Sequence, residues 1–596
     1  MLSDLLTLAE QSNFRQTGRS DEVERLCEAY RVRWPDCVNA FRFGTSSEGR
    51  AMHALLITRT GSLTAQAVKQ NGIPLLFLQA GIHPGESDGK DAGFIQLREW
   101  LERADELLQR VAILFVPAFN VDGHERMGRW NRMNQNGPEE TGWRTNGLNL
   151  NLNRDYCKAD TPEMQALLRL IDEWDPLVTA DLHVTDGADF QPDVSLQVEP
   201  LNQGAPELHD SARQLRDAVI DDLRASGSLP LPFYPDLYRA DEPSSGFVLT
   251  VYSPRFSTGY FAQRNRFTLL VETHSWKPYD LRVRVTRATI RSLAIHVAHR
   301  GGQWLQQVRS ADLATSRIAG SEVILDFRSS WREPVGGDVD AAAATSGESA
   351  ADESAVDAPL IDFPGYAYTR TLSPISGELF TTYDPATPQV WRVPYRNRVE
   401  PSVTVRAPGA GYLIPVAHTA TVGPRLAAHG IRTQRLSSAL TSLSMQCFQA
   451  SDVQFSTAPF EGRMRVALQG TWREALREVT AGALYVPLDQ PLARLVLALL
   501  EPCAPDSFAA WGFFNACFEQ KEHLERYVAE QIARQLMQEQ APLRAQFEQR
   551  LRVDPGFAAD ASARLDFFLH RHGSWDPHYN EYPVCRLDQA PAQNSP

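Results

Sequence analysis

A chain of 596 residues is longer than one hydrophobic core usually serves, and a net charge of −14 argues against a nucleic-acid partner or an anionic membrane surface. Seven cysteines with no CxxC pair fit reduced thiols and a cytoplasmic setting. The opening MLSDLLTLAEQSNFRQ lacks a basic region before a long apolar core, so no secretory signal is read there. A trimmed signal would instead place the protein in the periplasm or outside the cell. No run approaches eighteen apolar residues, so no transmembrane helix is expected.

From about residue 20 to 297, apolar strand-like runs alternate with helical patterns, the rhythm of a mixed α/β sheet covered on both faces. AMHALLIT is the first clear strand. IPLLFLQAG is the second, and it runs into IHPGES, where His83 stands three residues before Glu86 with Gly81 and Gly85 permitting a sharp turn. KDAGFIQLREWLERADELLQR repeats apolar residues at three and four, as a helix does, and VAILFVPAFN is a third strand leading to NVDG. RWNRMN carries Arg132. In WRTNGLNLNLNRDY, Asn149, Asn151 and Asn153 alternate with Leu148, Leu150 and Leu152; a strand here would bury the leucines and line its other face with asparagines. Arg144 and Arg154 bracket this strip, and guanidinium forks suit a carboxylate or an oxyanion.

PEMQALLRLIDEW reads as a helix and LVTADLHV as a strand ending in His183, with Asp181 on the same face. FTLLVETH places Glu272 at the end of an apolar run, a costly position for a carboxylate without a partner or a chemical role. The nearby DLRVRVTR could supply an arginine partner instead, and His274 competes as a metal ligand. A catalytic zinc site takes three protein ligands, two His and one Glu being a common set, and leaves one position open. His83, Glu86 and His183 supply such a set, and Glu272 supplies a general base.

The order HPGE, NVDG, WRTN with LNR, DLH and VET resembles the zinc metallocarboxypeptidase family, the relatives of carboxypeptidases A and B, over about residues 43–280, starting at GTSSEGRAMHALLI. The resemblance implies a three-layer α/β/α sandwich with a mixed, mostly parallel sheet of about eight strands and one Zn2+ ion above the strand ends. Carried over by position, His83, Glu86 and His183 are the zinc ligands and Glu272 the catalytic glutamate. Asn153 and Arg154 grip the C-terminal carboxylate of a peptide substrate, and Arg144, or else Arg132, stabilises the oxyanion. Tyr260, or else Tyr252, closes over substrate. Asn151 departs from the family, which commonly has an aspartate there to orient the first histidine. The implied activity is removal of a C-terminal residue by metal-activated water. A zinc amidohydrolase acting on murein peptides or acylated amino acids is the nearest alternative, and a catalytically inactive peptide-binding protein is the alternative of another class.

On this reading residues 1–315 form the catalytic domain, 335–359 an acidic Ala/Ser/Gly-rich linker, and 360–596 a C-terminal α+β domain whose role the residues do not disclose. SVTVRAP and GYLIPVA are expected strands there, and residues 518–540 an exposed helix. ALYVPLDQPLARLVLALLEP and DSFAAWGFF are expected to pack in a core.

Overall fold

The computed structural model describes residues 2–331, 358–522 and 524–592, so most of the expected linker lies outside the described residues. Strands β1 (Val38–Thr45), β2 (Ala51–Ile57), β3 (Leu75–Ala80), β4 (Ala112–Val116), β5 (Val178–Val184), β6 (Val194–Glu199), β7 (Pro230–Leu231), β8 (Phe247–Val248) and β9 (Phe267–Thr273) follow in chain order. All but β8 join one eight-stranded sheet in the order β1-β2-β4-β3-β5-β9-β6-β7, as expected. The neighbours β4, β3, β5 and β9 run parallel, while β1–β2, β2–β4 and β9–β6 are antiparallel. These four central strands are buried on both faces, which is why they read as continuous apolar runs.

Helices cover both faces. Helix Asp88–Glu102 sits where Ala80, Phe115 and Leu182 point: a Cβ on its Gly89 would come within 2.6 Å of Leu182 Cβ, and one on Gly93 within 2.3 Å of the Phe115 ring. Helix Pro162–Trp174 lies on the other face, with Trp174 stacked on Phe41 of β1. Its start is capped by Thr161, whose hydroxyl accepts the Met164 N–H, with Pro162 in the first turn. Gln79, Asp181, His183 and Glu272 share this second face, because β3–β5 pairs Gln79 with Asp181 and β5–β9 pairs His183 with Glu272.

The packing does not stop near residue 315. Strand β8 pairs with Tyr395–Arg396, strand Glu322–Ser329 pairs with Val399–Arg406, and one hydrophobic cluster runs from Leu78 and Val271 to Tyr412, Phe508 and Tyr582. Buried residues of both portions thus belong to one hydrophobic cluster. Residues 483–500 and 506–514 pack in it as expected, with Trp511 fully buried. Beyond them, a six-stranded sheet places Glu581–Leu587, the last strand of the described chain, between Gly411–Ile414 and Leu440–Phe455. Among the described residues of 518–540, the α-helix is Arg526–Glu539, and Phe518 ends a short 3₁₀ turn.

His429, at the end of helix Val416–Ala428, is a fully buried polar contact of this shared interior. Its Nε2–H donates to Cys157 O at 3.1 Å, so Nδ1 accepts the Tyr260 hydroxyl at 3.1 Å, and Arg264 donates to His429 O at 2.8 Å. Burial pushes its pKa down to about 3, so the folded protein refuses a proton that the unfolded chain takes up near pH 6.5. The contribution of this residue is complete above pH 6.5 and is lost as the pH falls towards 3, by at most about 1.4 kcal/mol per pH unit. A His429→Gln variant should show a shallower drop in Tm between pH 7 and pH 4 than the parent; equal slopes would refute this assignment.

Candidate metal centre

The three expected ligands converge. Nδ1 of His83 lies 2.9 Å from Glu86 Oε1, and Nδ1 of His183 lies 2.9 Å from Glu86 Oε2. One donor atom from each residue lies within 4.8 Å of the others, and all three side chains are buried. The turn that delivers His83 and Glu86 needs its glycines. Gly81 has φ 67°, and Gly85 lets the Arg132 stem cross, since a Cβ there would lie 2.4 Å from Arg132 Cγ.

Each imidazole is held from behind. His83 Nε2–H donates to Asn151 Oδ1 at 3.2 Å, which leaves the Nδ1 lone pair for a cation. Asp181 Oδ2 lies 3.1 Å from His183 Nε2 without the alignment of a hydrogen bond, and Asp181 is itself fixed by Gln79 and Ser257. Burial pushes the pKa of His83 down to about 3, reinforced by Arg144. Burial also opposes charge on His183, but Asp181 and Glu86 outweigh it and hold its pKa well above the usual imidazole range. Burial acts against the Glu86 carboxylate too, yet His83 and Arg132 keep it ionised. Two oriented nitrogens and one ionised carboxylate are a donor set that fits a zinc ion.

Glu272 sits beside this group on β9, directly across from His183. Its Oε2 is buried with no hydrogen-bond partner, and burial, helped by Glu86 and Asp186, raises its pKa to about 8. No ion pair joins it to an arginine of the 280–287 stretch: Arg282 pairs with Asp88 and Arg287 with Glu99. His274 is not brought to the metal group either. It stacks on Phe190 at 4.1 Å and contacts Asp189.

The two candidate arginines occupy different places. Arg132 donates to Glu86 Oε1 at 2.9 Å and to the carbonyls of Val184 and Thr185, so it braces a ligand. Arg144 lies 3.7 Å from Glu86 and keeps 38% of its side chain exposed.

The asparagine strip is not the expected strand. Leu148 is exposed, Asn149 has φ 60°, and Leu152–Arg154 form a short 3₁₀ turn. The cause is local: Asn146 Oδ1 accepts the N–H groups of Leu148 and Leu150, and Asn151 Oδ1 accepts that of Asn153, so side chains replace a strand partner. Asn153 is buried with an unpartnered Oδ1, and the Arg154 guanidinium lies 4.4 Å from the centre of the Phe256 ring.

Tyr260, expected to close over substrate, is fully buried in helix Ser257–Gln263 with its hydroxyl on His429. Tyr252 and Tyr234 are both half-buried, and burial, with the charge of Glu272 adding to it, holds the Tyr234 hydroxyl well above its usual pKa. Reading the residues alone missed Tyr234, because nothing in FYPDLY singles it out.

The sheet thus brings two imidazoles, a carboxylate placed to ligate and a glutamate whose Oε2 has no hydrogen-bond partner together at its strand ends. Residues 23–188 match the family model described as zinc carboxypeptidase, in line with the resemblance carried by the HPGE and DLH motifs. The match takes in all three candidate ligands, Asn153 and Arg154, and ends before Glu272.

Among solved structures, the chain is similar to a metallo-carboxypeptidase from Burkholderia cenocepacia at 17% identity, covering 47% of this chain and 70% of that one with a TM-score of 0.36. It is similar to a metallo-carboxypeptidase from Pseudomonas aeruginosa, solved in complex with (2-guanidinoethylmercapto)succinic acid, at 17% identity, 48% and 69% coverage and a TM-score of 0.33. A third is carboxypeptidase A from Helicoverpa armigera, at 15% identity, 50% and 79% coverage and a TM-score of 0.34. Among the described residues no helix is long and apolar enough to cross a membrane.

Proposed function

We propose that the protein is a zinc-dependent exopeptidase that removes a C-terminal residue from a peptide. The observation that carries this reading is the cross-strand placement of the unpartnered Glu272 carboxylate beside His183, one of three convergent ligands. His83 Nδ1, Glu86 and His183 Nδ1 would hold the ion, which supplies Lewis acidity to a water and to the scissile carbonyl.

The chain's own groups do the rest. Glu272 takes a proton from the attacking water at Oε2 and delivers it to the leaving amine nitrogen. Arg144, at the open edge, meets the oxyanion, while Arg132 keeps Glu86 in place. Asn153 and Arg154 grip the terminal carboxylate, with Phe256 fixing the guanidinium plane. Tyr252 and Tyr234 replace Tyr260 as the phenols that face the substrate.

A free C-terminus is what separates this reading from an amidohydrolase acting on murein peptides or acylated amino acids. Arg154→Ala should raise KM about tenfold or more for peptides with a free C-terminus, the scale of one lost charged hydrogen bond, and leave amidated peptides unaffected. Steady-state kinetics on such peptide pairs, with chelator as control, checks it; an unchanged KM would count for the amidohydrolase.

A further inference from the structure

The loop that carries Asn151, Asn153 and Arg154 is touched by a residue from far along the chain. Strands Leu440–Phe455 and Val466–Val479 form a hairpin, and beyond their paired ends Phe460 and Arg463 close a tight turn with reciprocal hydrogen bonds of 2.8 and 3.0 Å. Glu461 and Gly462 form the tip at φ 48° and 77°. A glutamate in the left-handed region is disfavoured and persists where its surroundings determine it.

The tip is set down on the catalytic loop at three points. Asn151 N–H donates to Glu461 Oε2 at 2.8 Å, Leu150 lies so close that a Cβ on Gly462 would come within 3.3 Å of its Cδ2, and Arg463 forks onto Asp160 at 2.6 and 2.7 Å. Arg425 joins the same carboxylate at 3.0 Å, and the Arg463 guanidinium lies 3.6 Å from the centre of the Phe513 ring. The tip is thus anchored on its own side as well as on the loop. A charge-assisted bond of this kind is roughly twice as strong as a neutral one.

Asn151 stands at a junction. Its side-chain oxygen receives His83 Nε2–H and Asn153 N–H, its carbonyl receives Arg154 N–H at 3.0 Å, and its own N–H goes to Glu461. We infer that Glu461 is a positioning residue of the hydrolytic site, supplied by the C-terminal portion. Through Asn151 it sets the ring plane of His83 and the placement of Asn153 and Arg154 together. This rests on the metallopeptidase reading of that loop.

The test compares full-length Glu461→Ala, which removes the acceptor, with Glu461→Gln, which keeps one. Zinc affinity is read by competition with a chromophoric chelator, and kcat and KM on a peptide with a free C-terminus. Glu461→Ala should lose about tenfold in zinc affinity, the scale for a residue acting behind a metal ligand, and raise KM several-fold with a smaller change in kcat. Glu461→Gln should stay within about threefold of the parent in both. A lower Tm with unchanged zinc affinity and KM would reduce Glu461 to a structural contact and overturn the inference, as would equal losses in the two variants. Should the parent bind no zinc and cleave no peptide, the proposed function fails while this inference stays testable by amide hydrogen exchange over residues 151–154 in chelator. Faster exchange in Glu461→Ala supports it, and unchanged exchange refutes it.

Discussion

Glu272→Gln should lower kcat/KM by about a thousandfold or more while leaving one zinc ion per chain, because an amide can neither take the proton nor return it. Metal content by mass spectrometry and peptide kinetics on the same sample check both halves; equal activity in mutant and parent would end the mechanism. The substitution has a second, opposite effect. With its pKa raised to about 8, Glu272 prefers the protonated form in the folded protein, whereas the unfolded chain ionises near the ordinary carboxylate value. Stability is therefore undiminished at pH 4 and falls as the pH rises through 8. In chelator, Glu272→Gln should melt above the parent at pH 8 and with it at pH 4. The site holds a carboxylate that the fold by itself disfavours, a common cost of function.

The second large effect is loss of a ligand. His183→Ala takes one imidazole from Glu86, which keeps its contacts with His83, Arg132, Arg144 and the Val184 N–H, and leaves the buried Asp181 without its imidazole neighbour. Bound zinc should fall to a small fraction of one per chain and hydrolysis to background. Thermal melting gives a readout free of substrate: zinc at about a thousand times its Kd stabilises a binding protein by about 4 kcal/mol, so added zinc should raise the parent's Tm and leave the mutant's unmoved. A parent indifferent to zinc would remove the metal reading.

How much of this was legible depended on range. Strands that are buried on both faces announce themselves as apolar runs, so β3, β5 and β9 and the residues at their ends, His83, His183 and Glu272, could be placed from the residues alone. The asparagine strip misled because period-two alternation is also what a turn shows when Asn146 and Asn151 satisfy the backbone by side chain. Tyr260 misled for a different reason: its partner, His429, lies 169 residues on. A still longer separation, 310 residues, hid Glu461, which no local pattern links to Asn151. Composition suggested a boundary between two portions, but an interior shared across such a boundary leaves no mark in either segment.

The position of Glu581–Leu587 between Gly411–Ile414 and Leu440–Phe455 bears on how the chain is made. Until that segment emerges during synthesis, the two halves of the six-stranded sheet, one of which is the hairpin bearing Glu461, have no ladder between them. Pairings of such long sequence separation form late. Translation thus has an order built into it: the candidate ligands are made well before the strand that joins the hairpin to the rest of its sheet.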